Sequence, residues 1–377
     1  MRVLHIVPAL FGSGGVFGGA ERYALELARN MAEAVPTSLL AFGDDDVEET
    51  SGALRVRVIG RPLYVRGQKA NPISGRMLSE ILEADVVHCH QQHIVASSVA
   101  ATMCRLTGRK VFVSDLGGGG WDISSYIKTD KWYHSHLHIS QYSREVSGHG
   151  DQPWAHVIYG GVDLVKFSRD DTRHNNGRVL FVGRLLPHKG IDDLVKAVPD
   201  DMDLDIAGRP LDPHYLEDLR TLARGKRVVF HHDYDDSALV DAYRQALCVV
   251  LPSVYRSCYG EESRIPELLG QTLLEAMACA TPAICTNVAS MPEIIEHNVS
   301  GLVVPPNDPN ALRQALLWLR SHPEQARSMG DAARLRVEAK FSWPVVVHRC
   351  LDIYKRFTTR TLVSAQPREI AFLKTKE

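Results

Sequence analysis

Two cations stand close together in FVGRLLPHKG, Arg184 directly after a short apolar run and Lys189 just before a glycine. A guanidinium clasps two oxygens of one anion and an ammonium adds a point charge, so the pair suits a diphosphate. Two solvated loop cations are the plainer alternative. Two carboxylates follow in PELLGQTLLEAMAC: Glu267 before Gly270, and Glu275 among Leu274, Ala276 and Met277. Carboxylates accept hydrogen bonds from hydroxyls, so this pair could hold a sugar and a ribose on either side of an anion seated at the helix N-terminus. A capping acid plus a solvated helix acid would give the same spacing, but apolar neighbours argue that Glu275 is buried and needs a partner.

The loop FGSGGVFGG, ending in Gly18 and Gly19, follows the first apolar run directly and opens a helix. Its glycines would let backbone N–H groups approach a phosphate, and plain flexibility is the alternative. As a dinucleotide fingerprint it breaks, because after Gly12 and Gly14 the third glycine falls on Phe17. Two histidine sets, His88, His90, His93 and His134, His136, His138, have period-two members that share a strand face. Imidazoles are zinc ligands, but neither set is completed by a cysteine or carboxylate at standard spacing, so no metal is assigned. His90, ending DVVHCH, is a candidate cleft residue. Asp203 and Asp205 spell D-x-D inside MDLDIAG, where they flank a core residue of a strand.

These groups need strands and helices to hold them. VLHIV, TSLLAF, RVRVI, DVVHCH, KVFVS and HVIY alternate with helical stretches, among them Ala20 to Ala34 and IVASSVAATMCRL, which reads as a parallel-sheet α/β domain. After the polar stretch VDLVKFSRDDTRHNNGR the alternation restarts with VLFVG, LDIAG, VVF, CVVLPS, PAICT and GLVVP. The helix after Gly270 has Leu273, Met277 and Ala280 as its apolar face. Doubly wound sheets bind ligands beyond the carboxyl ends of their strands, and two of them leave a cleft. The expected division is 1–165, 166–342 and a terminal helix in 343–377 that crosses back onto the first domain.

The whole chain agrees with two domains: it has 377 residues, against a prior of about 150 per domain. Hydrophobic residues are 45% and charged residues 23%, which excludes a disordered or fibrous chain. Lys plus Arg is 43 and Asp plus Glu 45, so no overall basic field draws the protein onto nucleic acid. The seven cysteines are odd in number and lack a C-x-x-C pair, against a disulfide scaffold. The N-terminal apolar run is too short for a signal segment, and no uninterrupted apolar stretch is long enough to span a bilayer. A cytoplasmic protein is expected, with surface association to a membrane left open.

Taken in order, GGAER at Gly18, VIYGGVDLVKF, FVGRLLPHKG, LPS, the E-x7-E pair and EAMACATPAI resemble the retaining glycosyltransferase family 4 over nearly the whole chain. The resemblance implies the GT-B architecture, two facing Rossmann-like domains, the first on the acceptor side and the second binding a nucleotide sugar. Arg184 and Lys189 would then grip the donor diphosphate, Glu267 the transferred sugar and Glu275 the ribose. Gly270, Gln271, Thr272 and Leu274, at the start of the same helix, would meet the donor, with His232 near the base. Gly18 and Gly19 would approach the donor phosphate or the acceptor.

Three departures stand out. Family members commonly carry a histidine facing the donor sugar in a T-D-H-G-like segment, where SDLGGGG has Leu116. The usual asparagine of the N-G-V-D linker is Gly160, and VYRSCYGEESRIP lengthens the connection before Glu267. The implied activity is metal-independent, cofactor-free retaining transfer from a nucleoside diphosphate sugar, UDP preferred, to a small-molecule, glycan or lipid-linked hydroxyl. The alternatives are a non-catalytic nucleotide-sugar-binding protein, suggested by Leu116, and a nicotinamide oxidoreductase, suggested by the glycine loop.

Overall fold

The computed structural model describes residues 1–10, 19–117, 121–170 and 175–358. The first part of the chain runs β1 (Val3–Leu10), α1 (Gly19–Ala32), β2 (Thr37–Gly43), β3 (Val47–Ser51), β4 (Leu54–Gly60), β5 (Leu63–Tyr64) and β6 (Pro72–Ile73). It continues through α2 (Met77–Glu83), β7 (Val86–Cys89), α3 (Val95–Thr107), β8 (Lys110–Val113), β9 (Ser135–His138), α4 (Gln141–Val146) and β10 (Ala155–Val157). Apart from the short β5–β6 pair, these strands form one sheet in the order β10-β9-β8-β7-β1-β2-β4-β3. It is parallel except at its edge, where β3 runs antiparallel to β4. That edge corrects the all-parallel expectation: VEETS has no apolar rhythm and lies almost wholly exposed, held by Glu48 to Arg55 and Arg57.

The second part runs β11 (Val179–Val182), α5 (Ile191–Ala197), β12 (Leu204–Ala207), α6 (Pro213–Leu222), β13 (Val228–His231), α7 (Asp236–Gln245) and β14 (Cys248–Leu251). Then follow α8 (Gln271–Ala278), β15 (Ala283–Thr286), α9 (Met291–Ile294), β16 (Leu302–Val304), α10 (Pro309–Ser321), α11 (Pro323–Lys340) and α12 (Trp343–Thr358). The strand order β13-β12-β11-β14-β15-β16 is parallel throughout and reverses direction between β11 and β14. Its strands read as continuous apolar runs such as CVVL and AICT because helices cover both faces. α8 stops at Ala278, and Ala280 turns left-handed at φ 58°, so Ala280 does not belong to the helix's apolar face.

α12 buries Trp343, Val346, Val347, Cys350, Leu351 and Tyr354 at helical spacing and lies against α1. Its Tyr354 hydroxyl meets His88 Nδ1 at 2.7 Å. Opposite, α4 touches the second sheet's loops. The Ser140 hydroxyl donates to Leu268 O at 2.7 Å, and the Gln141 and Tyr142 N–H groups both donate to the Glu293 carboxylate at 2.7 Å. Among the described residues no helix is long and apolar enough to cross a membrane.

Candidate donor site

The reversal between β11 and β14 opens a crevice at the carboxyl end of the second sheet, where ligands of doubly wound folds sit. Arg184 leaves β11 through Gly183, exposed and with no ion-pair partner among the described residues. The next turn brings Lys189 back to Gly190, which has φ +64°. A Cβ at Gly190 would stand 2.1 Å from Pro252 O, just past β14, so only glycine lets this loop close against the neighbouring strand end. Lys189 is thereby buried, and its Nζ pairs with Glu267 Oε2 at 2.5 Å. Between them His188 is brought down to about 4 by burial and by the charges of Lys189 and Arg184, so it is neutral at pH 7.

Glu267 and α8 come from the other side of the reversal. Gly270, at φ +80°, caps α8, and the first N–H groups of that helix point out of its end with the positive pole of its dipole. Gln271 Nε2 donates to Gly161 O at 3.2 Å, and Thr272 is half-buried beside it. Leu274 has its side chain wholly in the core, at 0% exposure, so any contact it makes with a ligand is through its backbone. Glu275 is buried and accepts the Tyr243 hydroxyl at 2.7 Å. Burial pushes its carboxyl above the ordinary range, opposed by Tyr243 and by the charges of Arg22 and Lys166. Those two cations themselves meet at Asp236, Lys166 at 2.5 Å and Arg22 at 3.3 Å.

From the first sheet, Leu116 is packed inside the core at 9% exposure, and Gly117 faces Leu268, next to Glu267. Gly160 has its reason here: a Cβ would come within 2.2 Å of Leu269 and 3.3 Å of Tyr23. His232 is exposed past β13, its Nδ1 donating to Gly208 O at 2.8 Å. Gly19 begins α1 with open space around it, and Gly18 lies outside the described residues. The inserted segment folds back on itself through an Arg256–Glu262 bridge. It is pinned by Tyr259 to Asp218 at 2.5 Å and by Tyr142 to Arg264 O at 2.6 Å.

The D-x-D pair is taken: Arg178 binds Asp205 at 2.5 Å and reaches Asp203 at 3.6 Å, with His231 also on Asp205. A cavity of about 320 Å³ beside Arg178, Asp205 and Tyr234 opens at the opposite strand ends, away from Arg184. Tyr243 is the group that sequence reasoning missed. Its only signal was that a buried Glu275 required a donor, and nothing local identified which residue supplies it.

Two family descriptions match in tandem: Glycosyltransferase Family 4 over residues 17–166, and Glycosyl transferases group 1 over residues 166–336. The chain is a family 4-type glycosyltransferase of GT-B fold. It is 28% identical to an uncharacterized glycosyltransferase of Methanocaldococcus jannaschii over 307 residues, 72% of this chain and 75% of that one. It is 26% identical to a D-inositol 3-phosphate glycosyltransferase of Catenulispora acidiphila, over 91% of each chain. Among solved structures, Anabaena HepE in complex with UDP and glucose superposes with a TM-score of 0.71 at 17% identity, covering 94% of this chain and 100% of that one. A sucrose-phosphate synthase from Thermosynechococcus elongatus superposes at 0.69 and 20% identity, covering 96% of this glycosyltransferase and 100% of the synthase. A nicotinamide oxidoreductase is set aside by these matches.

Proposed function

We propose that this glycosyltransferase moves a sugar from a nucleoside diphosphate sugar, UDP-linked by preference, to a hydroxyl acceptor, with retention of anomeric configuration and without a metal ion in the transfer step. The observation that carries the reading is the convergence of Arg184, the Lys189–Glu267 pair and the α8 N-terminus on one strand reversal. As the glycosidic bond breaks, negative charge grows on the departing diphosphate. Arg184, Lys189 and the helix end stand ready to stabilise it without reorganising. Glu267, neighbour to Lys189, is assigned to the transferred sugar, and Glu275, held by Tyr243, to the ribose hydroxyls. Residues 166–342 then form the donor domain and 1–165 the acceptor side, tied back by the helix in 343–377. The acceptor hydroxyl attacks from the face that the diphosphate leaves.

Leu116, 9% exposed, stands where family members carry a histidine that pairs a sugar hydroxyl, so the donor preference is expected to shift toward a less polar sugar. Leu116→His raises the use of an ordinary hexose donor relative to wild type in a competition assay. An unchanged donor ratio would show that Leu116 does not face the sugar. The reading as a whole is tested by a thermal-shift screen of UDP-, GDP- and ADP-sugars, since a ligand that binds only the native state raises its melting temperature. Free diphosphate release with a hydroxyl acceptor and the anomeric configuration of the product follow. Inverted product, or loss of transfer in chelator at an unchanged melting temperature that added divalent ion restores, would overturn the stated mechanism.

A further inference from the structure

We propose that His136, His138 and His149 form a site for one divalent transition-metal ion of the zinc class, structural in role and distinct from the donor site. His136 and His138 alternate on β9 and are buried on the same face, and His149 reaches them from the turn after α4. One ring nitrogen of each lies within 4.8 Å of those of the other two. His138 Nε2 and His149 Nδ1 are 3.1 Å apart. Ligands about 2.0 Å from a tetrahedral ion stand about 3.3 Å from one another, so these two nitrogens are already at ligand spacing.

The outer surroundings are also built. Asp130 meets two of the rings on their far sides: its carboxylate Oδ1 lies 3.5 Å from His149 Nε2, and its carbonyl 3.1 Å from His136 Nε2. Gln92 Nε2 holds the same carboxylate at 2.9 Å. A histidine that offers one nitrogen inward while a carboxylate holds the other is the arrangement that orients and strengthens a metal ligand. Nearby, Asp115 Oδ1 is buried with no hydrogen-bond partner among the described residues, while its Oδ2 lies 3.8 Å from His93 Nε2.

A second trio, His5, His88 and His90, has more of its ring nitrogens occupied by groups outside the cluster. Both nitrogens of His88 are occupied, by Ser114 Oγ at 2.9 Å and Tyr354 Oη at 2.7 Å. His5 spends its own on His90 at 2.8 Å and Met31 Sδ at 3.3 Å. His90 Nδ1 is buried with no hydrogen-bond partner among the described residues, and His88 meets the other two rings through ring contacts.

The ion would join His138 to His149, the two ends of the segment whose middle, α4, carries the contacts to Glu293, Leu268 and Arg264. Its role is to hold α4 in place against the second sheet.

The test uses full-length protein bearing no histidine tag. After equilibration with zinc and removal of the excess, elemental analysis gives about one zinc per chain in wild type. Cobalt substitution gives the visible absorption of a tetrahedral ion. Chelator lowers the melting temperature of wild type and leaves that of His149→Gln and His138→Gln unchanged, both of which have lost the metal. An exposed-site control, His214→Gln, keeps it. Should the variants fail to fold, the cobalt spectrum and chelator shift of wild type decide alone. Zinc far below one per chain, no cobalt band and a melting temperature indifferent to chelator would overturn the proposal and leave the donor reading untouched.

Discussion

Past β11 and β14 the second sheet is followed by Arg184, Lys189 and Glu267, whereas the middle strands of the first sheet carry His5 beside His88, with His90 one residue past β7. Both positions are strand-order reversals, so both are places where a doubly wound fold can hold a ligand. The second offers formal charge that is exposed or held in an ion pair. The first offers imidazoles that burial keeps neutral, His5 at about 3 and His88 and His90 also well below their usual range. Charge is suited to an anion whose negative charge grows during reaction. Neutral, directional hydrogen bonding is suited to uncharged hydroxyls. Under the proposed function, the contrast would place the electrostatics of transfer in one half of the molecule.

The largest effect is expected at Lys189. Its side chain and that of Glu267 are 9% and 16% exposed, so Lys189→Ala leaves a largely buried carboxylate without its partner. Breaking such a pair costs about 3 to 5 kcal/mol of stability. Urea unfolding should show it, with kcat/KM falling by orders of magnitude. The Lys189→Met, Glu267→Gln double variant recovers most of the stability and none of the activity. Recovery of both would reduce the pair to a structural feature and erase the contrast.

Acid should strike the first sheet. His5 and His138, at about 3, and His136, at about 4, are held below the ordinary 6.5 by burial, so the unfolded chain binds more protons than the native one between those values. Their contribution is therefore fully present above pH 6.5 and is lost as pH falls toward 4, at about 1.4 kcal/mol per pH unit for each histidine kept neutral. Hydrogen exchange at pH 7 and pH 5 should show protection falling first in β1, β7 and β9. Uniform loss across both sheets would deny the first sheet its special chemistry.

A smaller change is expected at Glu293, whose carboxylate accepts the N–H groups of Gln141 and Tyr142 at the start of α4. Glu293→Gln removes the charge and keeps an acceptor, so it costs about 1 kcal/mol. The readout is a lower melting temperature and a few-fold higher KM, with kcat little changed. No change in either would mean that this contact does not hold the two halves in register.

Arg184, Lys189 and Glu267 were legible because each sits in a short contiguous motif beside a strand end or a helix start, where residue type and position alone imply chemistry. The second sheet was legible for a similar reason, since its buried strands are unbroken apolar runs. What stayed hidden depends on distance along the chain. Tyr243 reaches Glu275 across 32 residues, and His5 reaches His90 across 85, spacings that no local pattern encodes. The histidine sets were sorted differently in space: His93 and His134 fall outside the trios, and His5 and His149 join them. Gly160 looked like an arbitrary change until Leu269 and Tyr23 were seen against it. β3 escaped because a polar edge strand carries no hydrophobic period.

The central claim, that the second sheet alone grips the diphosphate, is tested most directly by calorimetric titration of the free nucleoside diphosphate that wild type binds, into Arg184→Ala and His90→Ala. Arg184 is exposed, so its removal leaves the fold intact, and losing a charge-assisted contact should weaken binding by about tenfold to a hundredfold. His90→Ala should bind the same nucleotide within about twofold of wild type. Wild-type affinity in Arg184→Ala together with lost affinity in His90→Ala would contradict the account.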